Sequence, residues 1–299
     1  MGKSYPSILD ELGAGPPVGL AGISGGCIAE AAIATFEDGT RVFIKSAGSF
    51  AQGAPDMFQR EAEGLRALAV AGALRVPEVL AVSEEALVLE LIREAPKKRG
   101  FAEAFGQGLA KLHDHRAKTC GFPQDNFIGS TRQLNAPLHG SWDEVGKDDG
   151  STWPEFFVER RLRFQAQLAA SIGHGREFEK LLDRAELRIV ELLGSAIEVP
   201  GILHGDLWGG NYIVDDRGEA CLIDPAVYYG HREADLAMTR LFGGFEPSFY
   251  EAYAEASPLA PGHEDRLPIY QLYHVLNHLN LFGSGYFEQA KRILQRYAR

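Results

Sequence analysis

The hydrophobic pattern changes period at residue 93, and that change limits the fold more than any other feature of the chain. Before it the apolar runs are short and strand-like. Residues 18–21 lead into "GISGG", and "CIAEAAIATF" and "RVFIK" flank "EDGT", where Asp38-Gly39 is a hairpin turn signal. Residues 55–72 read as a helix: Pro55 suits the first turn, Phe58, Ala62, Leu65 and Leu68 recur at helical spacing, and Gly72 can end it. Two more strand-like runs, "EVLAVS" and "ALVLELI", follow Pro77, so the order is β–β–β–α–β–β. Beyond residue 93 helices dominate, at 100–116, about 154–172, 176–195, and from Glu233 to Arg299 with breaks at "GGF", "PLAPG" and "GSG". The expectation is a two-lobed α+β fold. Residues 1–92 form a small β-rich lobe, and residues 93–299 a larger, mostly α-helical lobe. The link falls near Glu90–Arg93. The Gly/Pro/Asn-rich stretch 118–153 is long for a loop and is a candidate binding loop.

Charge narrows the partners. The 299 residues carry a net charge of −11, which argues against a nucleic-acid backbone as the main partner. An anionic substrate stays open, because a bound divalent cation supplies positive charge. Cys27, Cys120 and Cys221 form no CxxC pair, so neither structural zinc nor a disulfide framework is expected. The N-terminus lacks a signal-peptide core, and no run of about 18 apolar residues occurs, so the reading is a cytoplasmic protein without a membrane partner.

The chemistry concentrates in "LHGDLWGGNYIVDDRGEACLIDPAVYYG", residues 203–230. Asp206 and Asn211 are five residues apart, and Asp224 follows at the end of the apolar run "ACLI". Phosphoryl transfer needs such a set: one Asp to orient or accept the proton of the attacking hydroxyl, and an Asn and a second Asp to hold Mg²⁺ against nucleotide phosphates. "YIVDD–RGE–ACLID" reads as a hairpin that brings Asn211 near Asp224, and Asp215, Asp216 and Glu219 fall in its exposed turn. The competing reading is loop residues bonding their own backbone. It explains each residue singly, and explains the set at this spacing poorly. His204 is read as structural, orienting the loop. Trp208 is either core or a wall for a sugar ring.

The small lobe offers partners for a nucleotide. "GISGG" between strand-like runs suits a phosphate-covering loop through Gly25 and Gly26. It lacks the strand-to-helix context that would make Ser24 a nucleophile, and it is not a Walker A sequence. Lys45 shares a strand face with Phe43, an unusual place for a solvated Lys, and from there it can reach the α/β-phosphates. Glu61 on the following helix lies near its inward face and is preferred over Glu63 as the partner of Lys45. Backbone groups at Glu90, Leu91 and Ile92 suit an adenine edge. His274 and His278 have zinc-like spacing but no Glu after the first His, and they read as buried or capping. "HDH" at 113–115 is explained by the C-terminal end of its helix. Asp235 either supports the loop at 206–211 from behind or is a surface carboxylate in a first helical turn.

Taken together, "MFQREAEGL", "LAKLHDH", "GFPQDNFIGSTRQLN", "WPEFFVERRLRFQ", "LHGDLWGGN", "IDPAVYYGHREADLAM" and "YQLYHVLNHLNLFG" resemble the fructosamine kinase family, small-molecule kinases of protein-kinase-like fold. The resemblance covers nearly the whole chain. It implies an ATP- and Mg²⁺-dependent kinase acting on a sugar hydroxyl of ketosamines, with Asp206 as catalytic base and Asn211 and Asp224 as Mg²⁺ ligands. Lys45 is then the phosphate-contacting lysine, with Glu61 its partner. The match in "GFPQDNFIG" and "QLN" further implies that the 118–153 stretch helps recognise the acceptor. Kinases for aminoglycosides, choline or free sugars, or a nucleotide-binding pseudokinase, are the alternatives. Cys27, directly after the glycine-rich loop, is either a redox-sensitive thiol near nucleotide or a small apolar residue starting a strand.

Overall fold

The computed structural model describes residues 8–9, 15–23, 30–46, 54, 56–139 and 152–298. Its N-terminal part is a five-stranded antiparallel sheet in the order β1-β2-β3-β5-β4, with one helix packed on it. The strands are β1 (Gly19–Ile23), β2 (Glu30–Thr35), β3 (Arg41–Ser46), β4 (Val79–Val82) and β5 (Ala86–Glu90), and the helix is α1 (Met57–Ala71). The order β–β–β–α–β–β is the one the sequence pattern predicts. The β2–β3 turn closes as expected at Asp38-Gly39, with the Thr40 N–H donating to Asp38 Oδ1 at 2.8 Å.

Alternation along β3 and β5 builds two cores on the two faces of the sheet. Val42, Ile44, Ala86 and Val88 join Phe36, Ile8 and Leu9 on one face. Leu87 and Leu89, with Phe43, pack on the other against Met57, Phe58, Ala62 and Leu65 of α1. The period of two therefore places Lys45, two residues from Phe43, on the α1 side.

The C-terminal part is helical. Its main elements are α2 (Phe101–His113), α3 (Trp153–Phe157), α4 (Phe164–Ala169), α5 (Glu177–Gly194), α6 (Glu233–Thr239), α7 (Pro247–Ala256), α8 (His263–Phe282) and α9 (Phe287–Tyr297). The expected single helix at 154–172 is instead α3 and α4 joined by a π-helical segment, Val158–Arg163. That winding carries the buried Arg161, whose guanidinium lies 4.1 Å from the Tyr228 ring centroid and donates to Asn135 Oδ1 at 2.8 Å. The stretch read as irregular at 118–153 contains a short hairpin, β6 (Asn126–Ile128) with β7 (Thr131–Gln133). Four further short strands frame the loop at 206–211. They are β8 (Gly201–Leu203) paired with β11 (Tyr228–Gly230), and β9 (Tyr212–Val214) paired with β10 (Ala220–Leu222). No helix among the described residues is long and apolar enough to cross a membrane.

Helices α2 and α7 cross at Gly106, where an added Cβ would lie 2.2 Å from the Phe249 carbonyl oxygen. Alanine is the better helix former by about 1 kcal/mol, but the backbone it would strike cannot swing away. Gly106→Ala is therefore expected to lower unfolding free energy by about 1–3 kcal/mol in urea melts. A stabilised variant would show that the two helices do not approach this closely.

Candidate active site

The site is built on one buried carboxylate. Asp235, in the first turn of α6, is 1 % exposed and accepts the backbone N–H groups of His204 at 2.7 Å and Gly205 at 2.8 Å. His113 Nε2 lies 3.2 Å from the same carboxylate, and the Tyr253 hydroxyl lies 2.7 Å from His113 Nδ1. Burial pushes Asp235 up, but the hydrogen bonds of His113 and the Gly205 N–H outweigh it and hold the carboxyl below its ordinary range. Asp235 thus supports the loop from behind, one of the two roles open to it. His113 is the correction: it is fully buried and spent on Asp235 and Tyr253, not on an exposed end of its helix.

The loop that follows is tightly determined. Gly205 has φ +83°, and a Cβ there would lie 2.0 Å from the Ala226 carbonyl oxygen, so only glycine fits. His204 is fully buried; its Nδ1 accepts the Asp206 N–H at 3.3 Å, leaving Nε2 to donate to the Ile223 carbonyl at 2.9 Å. Burial holds its pKa down, in keeping with a neutral structural ring. Asn211 Nδ2 donates to the Asp206 backbone oxygen at 2.8 Å and to Asp206 Oδ2 at 3.1 Å. The Ile223 N–H donates to the Asn211 carbonyl at 3.0 Å, so the β9–β10 hairpin returns Asp224 beside Asn211. Among the described residues, Asp224 is the one non-glycine residue at positive φ, 54°, a backbone state often kept at functional positions.

From the other lobe, Lys45 Nζ sits 2.5 Å from Glu61 Oε1 and 2.5 Å from Asp224 Oδ1. Burial disfavours its charge, but Asp224 and Glu61 outweigh that and hold the ammonium well above its ordinary range. Glu63 pairs instead with Arg60, at 2.7 Å. Asp206 is pushed well up, first by burial and then by the charges of Asp224 and Asp235, against the Asn211 hydrogen bond. A general base works best with its pKa near the working pH, and an upward shift moves a carboxylate that way.

The remaining predicted residues fall as follows. Gly25 and Gly26, with Ser24 and Cys27, lie outside the described residues. The Glu90 N–H donates to the Glu78 carbonyl at 2.9 Å, and its carboxylate takes Arg75 and the Glu78 N–H. The β5 ladder ends at Glu90, so Leu91 and Ile92 carry backbone groups beyond it. Trp208 is 38 % exposed, edge-on to Phe242 with centroids 6.0 Å apart. His278 Nδ1 donates to the His274 carbonyl at 2.8 Å. Asp215 is a second correction. It is not part of an exposed turn but fully buried, accepting the N–H groups of Arg217 and Glu219 at 2.9 Å and the Arg75 guanidinium at 2.7 Å. In the described part of 118–153, Asn126 and Gln133 are also buried and spent internally, on the carbonyls of Val227 and Ala226. They brace the backbone after Asp224.

The fold and this set of groups are those of a small-molecule phosphotransferase of protein-kinase-like architecture. The family model described as fructosamine kinase matches residues 16–299. A Synechocystis relative named "probable ketoamine kinase" is 38 % identical over 93 % of this chain and 89 % of its own. The chloroplastic protein-ribulosamine 3-kinase of Oryza sativa subsp. japonica is 38 % identical over 98 % of this chain and 82 % of its own. A crystal structure of a "putative fructosamine-3-kinase" from Thermobifida fusca superposes with a TM-score of 0.83 and 32 % identity, covering 98 % of each chain. The chain belongs to the fructosamine kinase family, and its membership implies ATP as phosphoryl donor.

Removing Asp235 would strand two buried N–H donors and the His113 ring. Asp235→Ala is expected to lower unfolding free energy by about 3 kcal/mol, read from urea melts. A loss under about 0.5 kcal/mol would mean that the carboxylate does not anchor the loop.

Proposed function

We propose that the protein phosphorylates a sugar hydroxyl, the 3-hydroxyl, of ketosamines such as fructosamines or ribulosamines, using ATP and Mg²⁺ in the cytoplasm. The phosphorylated adduct is unstable and leaves the amine, so the reaction supports deglycation. The observation that carries this reading is the meeting of Asp206, Asn211 and Asp224 with the Lys45–Glu61 pair, in a chain of this family.

Each group then has a role. Asp206 accepts the proton of the acceptor hydroxyl as its oxygen bonds to the γ-phosphorus and ADP departs. Lys45, held by Glu61, contacts the α/β-phosphates, and Gly25 and Gly26 cover them. Leu91 and Ile92 meet the adenine edge, as does Glu90 through its carbonyl, since its N–H is committed. Trp208 forms a wall of the sugar site. Residues 1–92 serve as the nucleotide-binding lobe and residues 93–299 as the catalytic and acceptor-binding lobe.

The donor set suits Mg²⁺. Asn211 turns its Nδ2 to Asp206, so its amide oxygen faces away, and Lys45 occupies one oxygen of Asp224, whose side chain is 48 % exposed. One carboxylate and one amide oxygen are hard donors that leave room for phosphate and water. When bound there, Mg²⁺ would neutralise charge on the phosphates. Asp206 and Lys45 supply the proton acceptor and the fixed positive charge.

A panel of acceptors incubated with γ-labelled ATP and Mg²⁺ tests the reading. Label should pass to fructosyl- and ribulosyl-amines, and not to choline, aminoglycosides or free sugars. Transfer to one of those others without transfer to a ketosamine would overturn the acceptor assignment. Nucleotide binding with no transfer to any acceptor would indicate a pseudokinase.

A further inference from the structure

Helix α8 holds a buried polar atom that nothing in the described residues satisfies. His274 is 3 % exposed, and its Nδ1 is buried without a hydrogen-bond partner. That nitrogen points at the proposed base, 3.8 Å from Asp206 Oδ1. The other carboxylate oxygen, Oδ2, is already held by Asn211 at 3.1 Å. Two donors therefore flank the two oxygens of Asp206, one at bonding distance and one just beyond it.

The placement of His274 is fixed by its neighbours on α8. One residue earlier, the Tyr273 hydroxyl donates to Gln133 Oε1 at 2.8 Å. Three residues later, Asn277 Oδ1 accepts Gln165 Nε2 at 3.2 Å. These bonds set the rotation of the helix and hence where the imidazole points. A leucine would fill the same space without leaving a buried nitrogen unpaired, which costs about 1–3 kcal/mol. Burial pushes the imidazole down to about 3, so the ring is neutral and carries a single N–H. A carboxylate only accepts, so the proton facing it belongs on Nδ1.

We propose that His274 is a positioning residue for phosphoryl transfer, its Nδ1–H closing onto Asp206 Oδ1 when the acceptor is bound and fixing the plane of the carboxylate. Catalytic hydrogen bonds are commonly long in the free enzyme and tighten in the substrate complex. No proton leaves the imidazole. The N–H stabilises the ionised carboxylate, and Asp206 alone takes the proton of the hydroxyl. The inference rests on the reading of Asp206 as the base.

The test is steady-state kinetics with fructosyl-lysine, ATP and Mg²⁺ on His274→Leu, His274→Asn, Asp206→Asn and the His274→Leu/Asp206→Asn double variant. His274→Leu should lower kcat by about tenfold or more while the KM for ATP stays within about twofold. His274→Asn keeps an N–H donor and should recover a substantial part of that loss. In the Asp206→Asn background the Leu substitution should change the residual rate by less than about twofold, because its partner is gone. Parental kcat in His274→Leu, with Asp206→Asn impaired, would overturn this inference alone. So would equal losses in the Leu and Asn variants, or a full effect of Leu in the Asp206→Asn background. Parental turnover in Asp206→Asn itself would overturn the base assignment and the inference together. Should His274→Leu not fold, ¹⁵N shifts of the parent with fructosyl-lysine bound decide. Protonated Nδ1 is expected, and a bare Nδ1 with the proton on Nε2 would overturn the proposal.

Discussion

The Asp235 carboxylate is the constraint from which the site follows. It is buried, and a buried carboxylate persists only where donors surround it. Here the donors are the N–H groups of His204 and Gly205 and the ring of His113. Meeting that demand fixes the backbone just before Asp206. It also ties α6 to the end of α2 and to the short β8–β11 pair. His204, once placed, reaches the Ile223 carbonyl and so fixes the residue before Asp224. One buried carboxylate thereby sets the positions of two that are less buried, Asp206 and Asp224.

The lobes meet through charge. The small lobe supplies Lys45 to Asp224, and Arg75, between α1 and β4, reaches Asp215, Asp216 and Glu90. The Arg75 carbonyl also accepts the Leu222 N–H at 2.8 Å, so the hairpin carrying Asn211 and Asp224 is tied to the small lobe by backbone as well as side chain. Asp215 alone among these carboxylates is fully buried, so removing Arg75 there would cost more than breaking the exposed pair to Asp216.

Much of this was legible in the sequence because it is written in local patterns. Alternation in "RVFIK" gave Lys45 its face, helical spacing chose Glu61 over Glu63, and the turn at Arg217-Gly218 brought Asn211 to Asp224. What escaped were groups whose role depends on distant partners. Asp215 sits in a turn, and nothing local says that Arg75, 140 residues away, will bury it. His113 looked like a helix-end cation because Asp235 and Tyr253 lie more than a hundred residues further on. Nothing local shows that Asn126 and Gln133 will be buried against backbone carbonyls after Asp224, about a hundred residues away. The π-helical winding around Arg161 had no sequence signal, since it answers to Tyr228 and Asn135 across the fold.

In the proposed reaction one cleft holds nucleotide and ketosamine together, with Asp206 facing the hydroxyl to be phosphorylated. A crystal structure with Mg²⁺, a non-hydrolysable ATP analogue and a fructosyl-amine measures this directly. Lys45 is expected against the α/β-phosphates, Asn211 and Asp224 on the cation, and an Asp206 oxygen within about 3.2 Å of the sugar 3-hydroxyl. A sugar bound with all its hydroxyls out of reach of Asp206, or a nucleotide bound away from Lys45, would contradict this arrangement.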